Sequence, residues 1–147
     1  MRTNRVSLIF AAALCVAVAA IHVDDQGGVT AFDDPDWLGW AYRLLEVGSV
    51  VVAGALVFAA GAAVVGTRAA LVRVAAVLVG AGPFVGYVLT RTTGLPGDPD
   101  DVGNWGDTLG TVSLVVEGVL VLTAVAGLLA RNAVRPEPAA RSRVVAA

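Results

Sequence analysis

Four long apolar runs constrain this chain more than any other feature. They cover residues 6–23, 44–66, 69–90 and 109–130. Each is close to the roughly 20 helical residues needed to cross a hydrocarbon core about 30 Å thick. The second has a more amphipathic lead-in from Trp37, Arg73 interrupts the third near its start, and Glu117 interrupts the fourth. Alternation at period two is absent, and Ala, Leu and Gly dominate alongside Val. Backbone groups in lipid must satisfy one another within the segment, so these runs are helices and not open strands. The expected fold is an all-α, polytopic membrane protein, a four-transmembrane-helix up-down bundle. Its helices are expected over about 6–23, 37–66, 69–90 and 108–130, all within one transmembrane domain covering 1–135. Pro136 and Pro138 open a segment with no apolar period, so 136–147 is expected to be a disordered cytoplasmic tail.

Composition supports the same class. The chain is 57% hydrophobic and 15% charged, whereas a soluble domain carries about 25% charged residues. A net charge of −2 lacks the basic excess of a nucleic-acid binder, so no nucleic-acid partner is expected. All the basic residues are arginine, which with the Ala/Val excess points to codon bias in a GC-rich genome. The single cysteine, Cys15, excludes an intrachain disulfide and a multi-cysteine metal site. The first run has a second reading: Arg2 and Arg5, an apolar stretch and Ala17-Val18-Ala19 also describe a cleaved signal peptide. Its length is slightly more than such a core needs, which favours a retained helix.

Charge distribution sets the expected orientation. Arg2 and Arg5, Arg68 and Arg73, and Arg131, Arg135, Arg141 and Arg143 fall at one end of an even-numbered bundle. Every aspartate falls at the other: Asp24, Asp25, Asp33, Asp34 and Asp36 in one loop, Asp98, Asp100, Asp101 and Asp107 in the next. By the positive-inside rule both termini are cytoplasmic and the acidic loops extracytoplasmic, in a multi-pass protein of the cell membrane. Trp37, Trp40, Tyr42 and Trp105 cluster near the acidic boundary, as an interfacial aromatic belt does. Gly80, Gly82 and Gly86 on helix three, the last two at the spacing of close helix contact, read as packing within the chain, and Pro83 as a kink.

The ionisable residues within the runs carry the functional question. Glu46 and Glu117 each lie nine residues below the outer end of their helices, at Trp37 and Thr108. At 1.5 Å per residue both are roughly 13 Å deep. Helical periodicity aligns Ala11, Cys15, Val18 and His22 on helix one, and Arg43 with Glu46 on helix two. It likewise aligns Pro83, Tyr87, Thr90 and Arg91 on helix three, and Gly110, Ser113 and Glu117 on helix four. These stripes can converge on one outward-opening polar pocket built from His22, Arg43, Glu46, Tyr87, Arg91, Ser113 and Glu117. Intramembrane charges default to a functional-site reading. The bland reading pairs Glu46 with Arg43 and Glu117 with Arg91 as structural ties, with His22 an interfacial residue; from the end of helix three Arg91 can reach inward to Glu117 or upward to the aspartates. His22, Glu46 and Glu117, with Asp24 or Asp25, supply metal-compatible atoms without a metal-ligand spacing, and no cofactor is expected. The aspartate-rich segment 98–109 echoes a calcium loop but ends on Leu109 where glutamate is required. No nucleophile elbow, zinc helix, phosphate loop or dinucleotide fingerprint appears, and no enzyme is expected.

The segment Leu89-Thr90-Arg91-Thr92-Thr93-Gly94-Leu95-Pro96-Gly97 resembles an element of small uncharacterised four-helix integral membrane proteins of actinobacterial type. In that group a helix ends in a Ser/Thr-Arg-Thr-x-Gly-Leu-Pro outer loop, the first helix ends in histidine and the last carries an acid. His22 and Glu117 match those positions, and Arg91, Thr92, Gly94, Leu95 and Pro96 match the loop. Gly97-Asp98-Pro99 departs from the Gly-Pro expected after the loop proline. The resemblance spans about 22–130 and implies retention of helix one and a polar pocket, with no biochemical role to carry over. Two functions stay open: a structural or accessory membrane component held by paired charges, or a binding or transport module for a cation, proton or small solute. The lipid bilayer is the implied partner, and a second copy or another membrane protein is left open.

Overall fold

The computed structural model describes residues 2–31, 36–97 and 99–133. The tail expected over 136–147 lies outside the described residues, as do Asp33, Asp34 and Asp98. Four helices make up the fold: α1 (Arg2–Asp25), α2 (Asp36–Gly61), α3 (Gly66–Thr92) and α4 (Thr108–Ala133). All four are long and apolar enough to cross a membrane, which makes this a multi-pass membrane protein. Consecutive helices run antiparallel. The end of α1 meets the start of α2 through Tyr42 and Asp25, and the end of α3 meets the start of α4 through Arg91 and Asp107.

α1 is the hub. It packs against α2, α4 and, more sparingly, α3, while α2 and α4 do not touch among the described residues. Its buried face is the small-residue stripe Leu8, Ala11, Ala12, Cys15, Val18 and Ala19. Ala53, Ala59, Ala60, Ala76 and Ala124 answer it from the other helices. The outside is the reverse of a soluble protein: Leu44, Phe58, Leu78 and Leu122 are each 67–73% exposed. In lipid such a surface carries no cost, and association rests on close packing of small residues and internal polar contacts.

Two boundaries differ from the sequence reading. α2 stops at Gly61 and α3 begins at Gly66, so the expected run to residue 66 is broken. Ala62-Ala63-Val64-Val65 contains no residue that announces a turn, yet Ala63 sits at φ +50° and Gly66 at φ +71°. The reversal is made by left-handed backbone at Ala63, inside this apolar tetrapeptide, and at Gly66, which follows it. α3 continues through Pro83.

The close approach of α3 to α4 falls on Gly80 and not on the Gly82–Gly86 spacing. A Cβ at Gly82 or Gly86 would meet nothing within 4 Å, whereas one at Gly80 would lie 2.9 Å from the Glu117 carbonyl oxygen and from Val121 Cγ2. Gly80 is the packing glycine. Replacing it with alanine is expected to lower stability by about 1–3 kcal/mol, the range for overpacking a fixed neighbour. Gly82→Ala should leave stability unchanged or raised, since alanine is favoured over glycine in a helix by about 1 kcal/mol. Thermal unfolding of both variants in the same detergent checks the contrast.

Candidate functional site

The ends of α1 and α3 and the starts of α2 and α4 enclose a cavity of about 660 Å³. Its apolar walls include Leu38, Leu45, Leu78, Pro83 and Leu95, and Gly82 and Gly86 form the stretch of α3 that leaves it open. Polar groups ring it: His22, Asp25, Tyr42, Tyr87, Arg91, Asp101, Asn104, Asp107 and Ser113. Trp37 closes one side, its indole Nε1 donating to the Pro96 carbonyl at 3.0 Å.

Arg91 organises the rim. It is 7% exposed, lies over the Tyr87 ring at 4.5 Å from its centroid, and pairs with Asp101 and, at 3.4 Å, with Asp107 Oδ2. Tyr87 in turn meets Trp105 edge-on at 6.2 Å. Asp107 is the N-cap of α4: the N–H groups of Leu109 and Gly110 donate to its two carboxylate oxygens at 3.0 and 3.1 Å. Glycine at 110 is required because a Cβ there would run into the Tyr87 ring. The loop motif is seen to work through backbone geometry. Gly94 at φ +73° ends α3 with its N–H on the Leu89 carbonyl, the usual glycine helix stop. The Gly103 N–H returns to the Arg91 carbonyl at 2.9 Å. Thr92 folds its hydroxyl back on Val88, and Leu95 faces the cavity.

Beneath this rim lies a second polar unit. His22 Nε2 stands 3.6 Å from Glu117 Oε1, and Ser113 donates to the same oxygen at 2.6 Å. His22 Nδ1 lies 2.9 Å from the Val18 carbonyl, and its ring is tilted against Tyr42 at 5.6 Å. Glu117 is 1% exposed and its Oε2 has no hydrogen-bond partner.

The sequence-derived constellation is therefore divided. His22, Tyr87, Arg91 and Ser113 line the cavity, with Glu117 behind His22 and Ser113. Arg43 and Glu46 are paired at 2.6 Å as expected, but they stand outside the lining, and Arg43 also binds the Ala31 carbonyl. The Glu117–Arg91 tie does not form. Arg91 sits at the helix end where the loop aspartates reach it, and Glu117, deeper, takes His22 instead. His22 is accordingly buried and paired, not a free interfacial residue. The three-residue metal set is not assembled either: no group of three His, Cys, Asp or Glu suited to a metal occurs among the described residues, and Glu46 is paired with Arg43.

Sequence reasoning missed two features. The Asp107 cap was legible as an acid just ahead of an apolar run. Arg73 was read as an inner charge, yet it is 1% exposed, donates to Asn4 and Ser7 at 2.7 and 3.2 Å, and lies against Gly127. Nothing local to residue 73 announces partners that far away in sequence. Compared with known proteins, the chain matches no family model, no curated protein and no solved structure.

Replacing Asp107 with alanine removes both the cap and an Arg91 partner, and should cost about 0.5–2 kcal/mol for the cap alone. Asp107→Asn keeps one capping oxygen and loses the charge and the second acceptor. Thermal unfolding should rank wild type above Asn above Ala, and equal loss in both variants would show that the cap contributes nothing.

Proposed function

We propose that this chain is a small-molecule-binding membrane protein, not an enzyme, and that its cavity takes an organic cation with an apolar body. The observation that carries this is the cavity itself. At about 660 Å³ it falls within the usual range of ligand pockets, about 300–1,000 Å³. Its walls pair apolar side chains with three aromatic residues, Trp37, Tyr42 and Tyr87. Three carboxylates line it, Asp25, Asp101 and Asp107, against one guanidinium already held by two of them. An excess of negative charge beside aromatic faces favours a cation over an anion. The paired charges support a structural reading for Arg43–Glu46 and for the Arg91 rim, whose ties brace the cavity walls.

Tetraphenylphosphonium and tetraphenylborate test this, being alike in shape and opposite in charge. Calorimetry on the full chain in phosphatidylcholine nanodiscs should show saturable binding of the cation and none of the anion above empty discs. Gly86→Leu places a side chain into open space, so it should abolish binding with unfolding temperature preserved. Equal uptake of both ions, or binding indifferent to Gly86→Leu, would refute the reading.

The cavity end is proposed to face away from the cytoplasm, supported by Arg5 and Arg68 at the opposite end and the positive-inside rule. Thr93 and Thr67 are exposed at opposite ends, and the native Cys15 is buried. A membrane-impermeant maleimide should label Thr93→Cys in intact cells and Thr67→Cys only after permeabilisation. The opposite pattern would invert the orientation.

A further inference from the structure

His22 is the only histidine in the chain and is more than nine-tenths buried. Its Nδ1 faces the Val18 carbonyl at 2.9 Å. A carbonyl oxygen only accepts, so Nδ1 carries a hydrogen. The other ring nitrogen, Nε2, faces Glu117 Oε1 at 3.6 Å. A bare Nε2 beside an ionised carboxylate would set lone pair against lone pair. The pair therefore holds one further proton, on Nε2 or on the carboxyl group. Ser113 already donates to Oε1 at 2.6 Å, so that oxygen accepts whichever partner carries the proton.

His22 and Ser113 both line the cavity, so this proton sits at its wall. We propose that the His22–Glu117 pair stores one exchangeable proton, and that a cation entering the cavity expels it to the surrounding buffer through the cavity mouth. This rests on the cation-binding reading above. The charged and titratable groups that line the cavity with His22 are Asp25 on α1, Tyr42 on α2, Tyr87 and Arg91 on α3, and Asp101 and Asp107 in the loop before α4. Arg91 is engaged by Asp101 and Asp107, and Asp25 accepts the Tyr42 hydroxyl, so the His22–Glu117 pair is where a departing proton removes one positive charge. Two positive charges about 6 Å apart, at an effective dielectric of about 20, alter each other's affinity about a hundredfold. Linkage makes the effect reciprocal: proton loss strengthens cation binding by the factor by which the cation weakens proton binding.

Calorimetry with tetraphenylphosphonium on the full chain in nanodiscs, repeated in buffers of different ionisation enthalpy, counts protons released. Up to one per bound cation is expected, with affinity rising by as much as about tenfold per pH unit while the pair is protonated. Glu117→Gln should bind the cation with no release and little pH dependence. Since that variant alters a buried contact, wild-type protein carrying ¹⁵N-histidine gives an independent readout. Its single imidazole signal should shift when the cation is added, as the proton leaves the pair. Binding without proton release, or an unmoved imidazole signal, would overturn the exchange and leave the pocket reading intact. Absence of any binding would sink both.

Discussion

The constraint on which the rest depends is that this bundle's outside is as apolar as lipid. Helices such as α2, with Leu44 and Phe58 turned outward, gain no hydrophobic energy by meeting one another inside a membrane. Cohesion has to come from closeness and from polar contacts that have no better partner outside. The alanine-rich face of α1 supplies the first, letting three helices approach it. Gly80 against the Glu117 carbonyl does the same for α3 and α4.

The polar contacts are arranged at the two ends. At one, Arg73 joins α3 to Asn4 and Ser7 of α1 and rests on Gly127 of α4. At the other, Arg91 ties α3 to the α4 cap, and His22 ties α1 to Glu117. Between Arg91 and His22 the helices do not close, because Gly82 and Gly86 present no side chain to fill the gap. The cavity is thus a product of the same small residues that elsewhere permit contact. A glycine makes an interface where a neighbour comes near and a void where none does.

That distinction explains how far the sequence could be read. Helix number, the antiparallel order and the polar stripes followed from hydropathy and the 3.6-residue period, both local properties. The Arg43–Glu46 pair was legible for the same reason, being three residues apart. For Arg91 the sequence left Glu117 and the aspartates both open, and His22 as the partner of Glu117 was not legible, because helical depth and rotation decide which group a side chain reaches. Periodicity gives a residue its face but not the tilt of the helix opposite. The turn at 62–65 was hidden because its left-handed residue is alanine, and Gly82 read as a contact because spacing alone carries no information about what stands across from it.

α4 reaches this site last in the order of synthesis, and it brings Ser113 and Glu117, with Asp107 just before it. Until it arrives, a nascent three-helix chain holds His22 without its carboxylate and Arg91 without its capping partner. Polar groups left so in hydrocarbon are costly. His22 and Arg91 thus gain these partners only once α4 has been inserted.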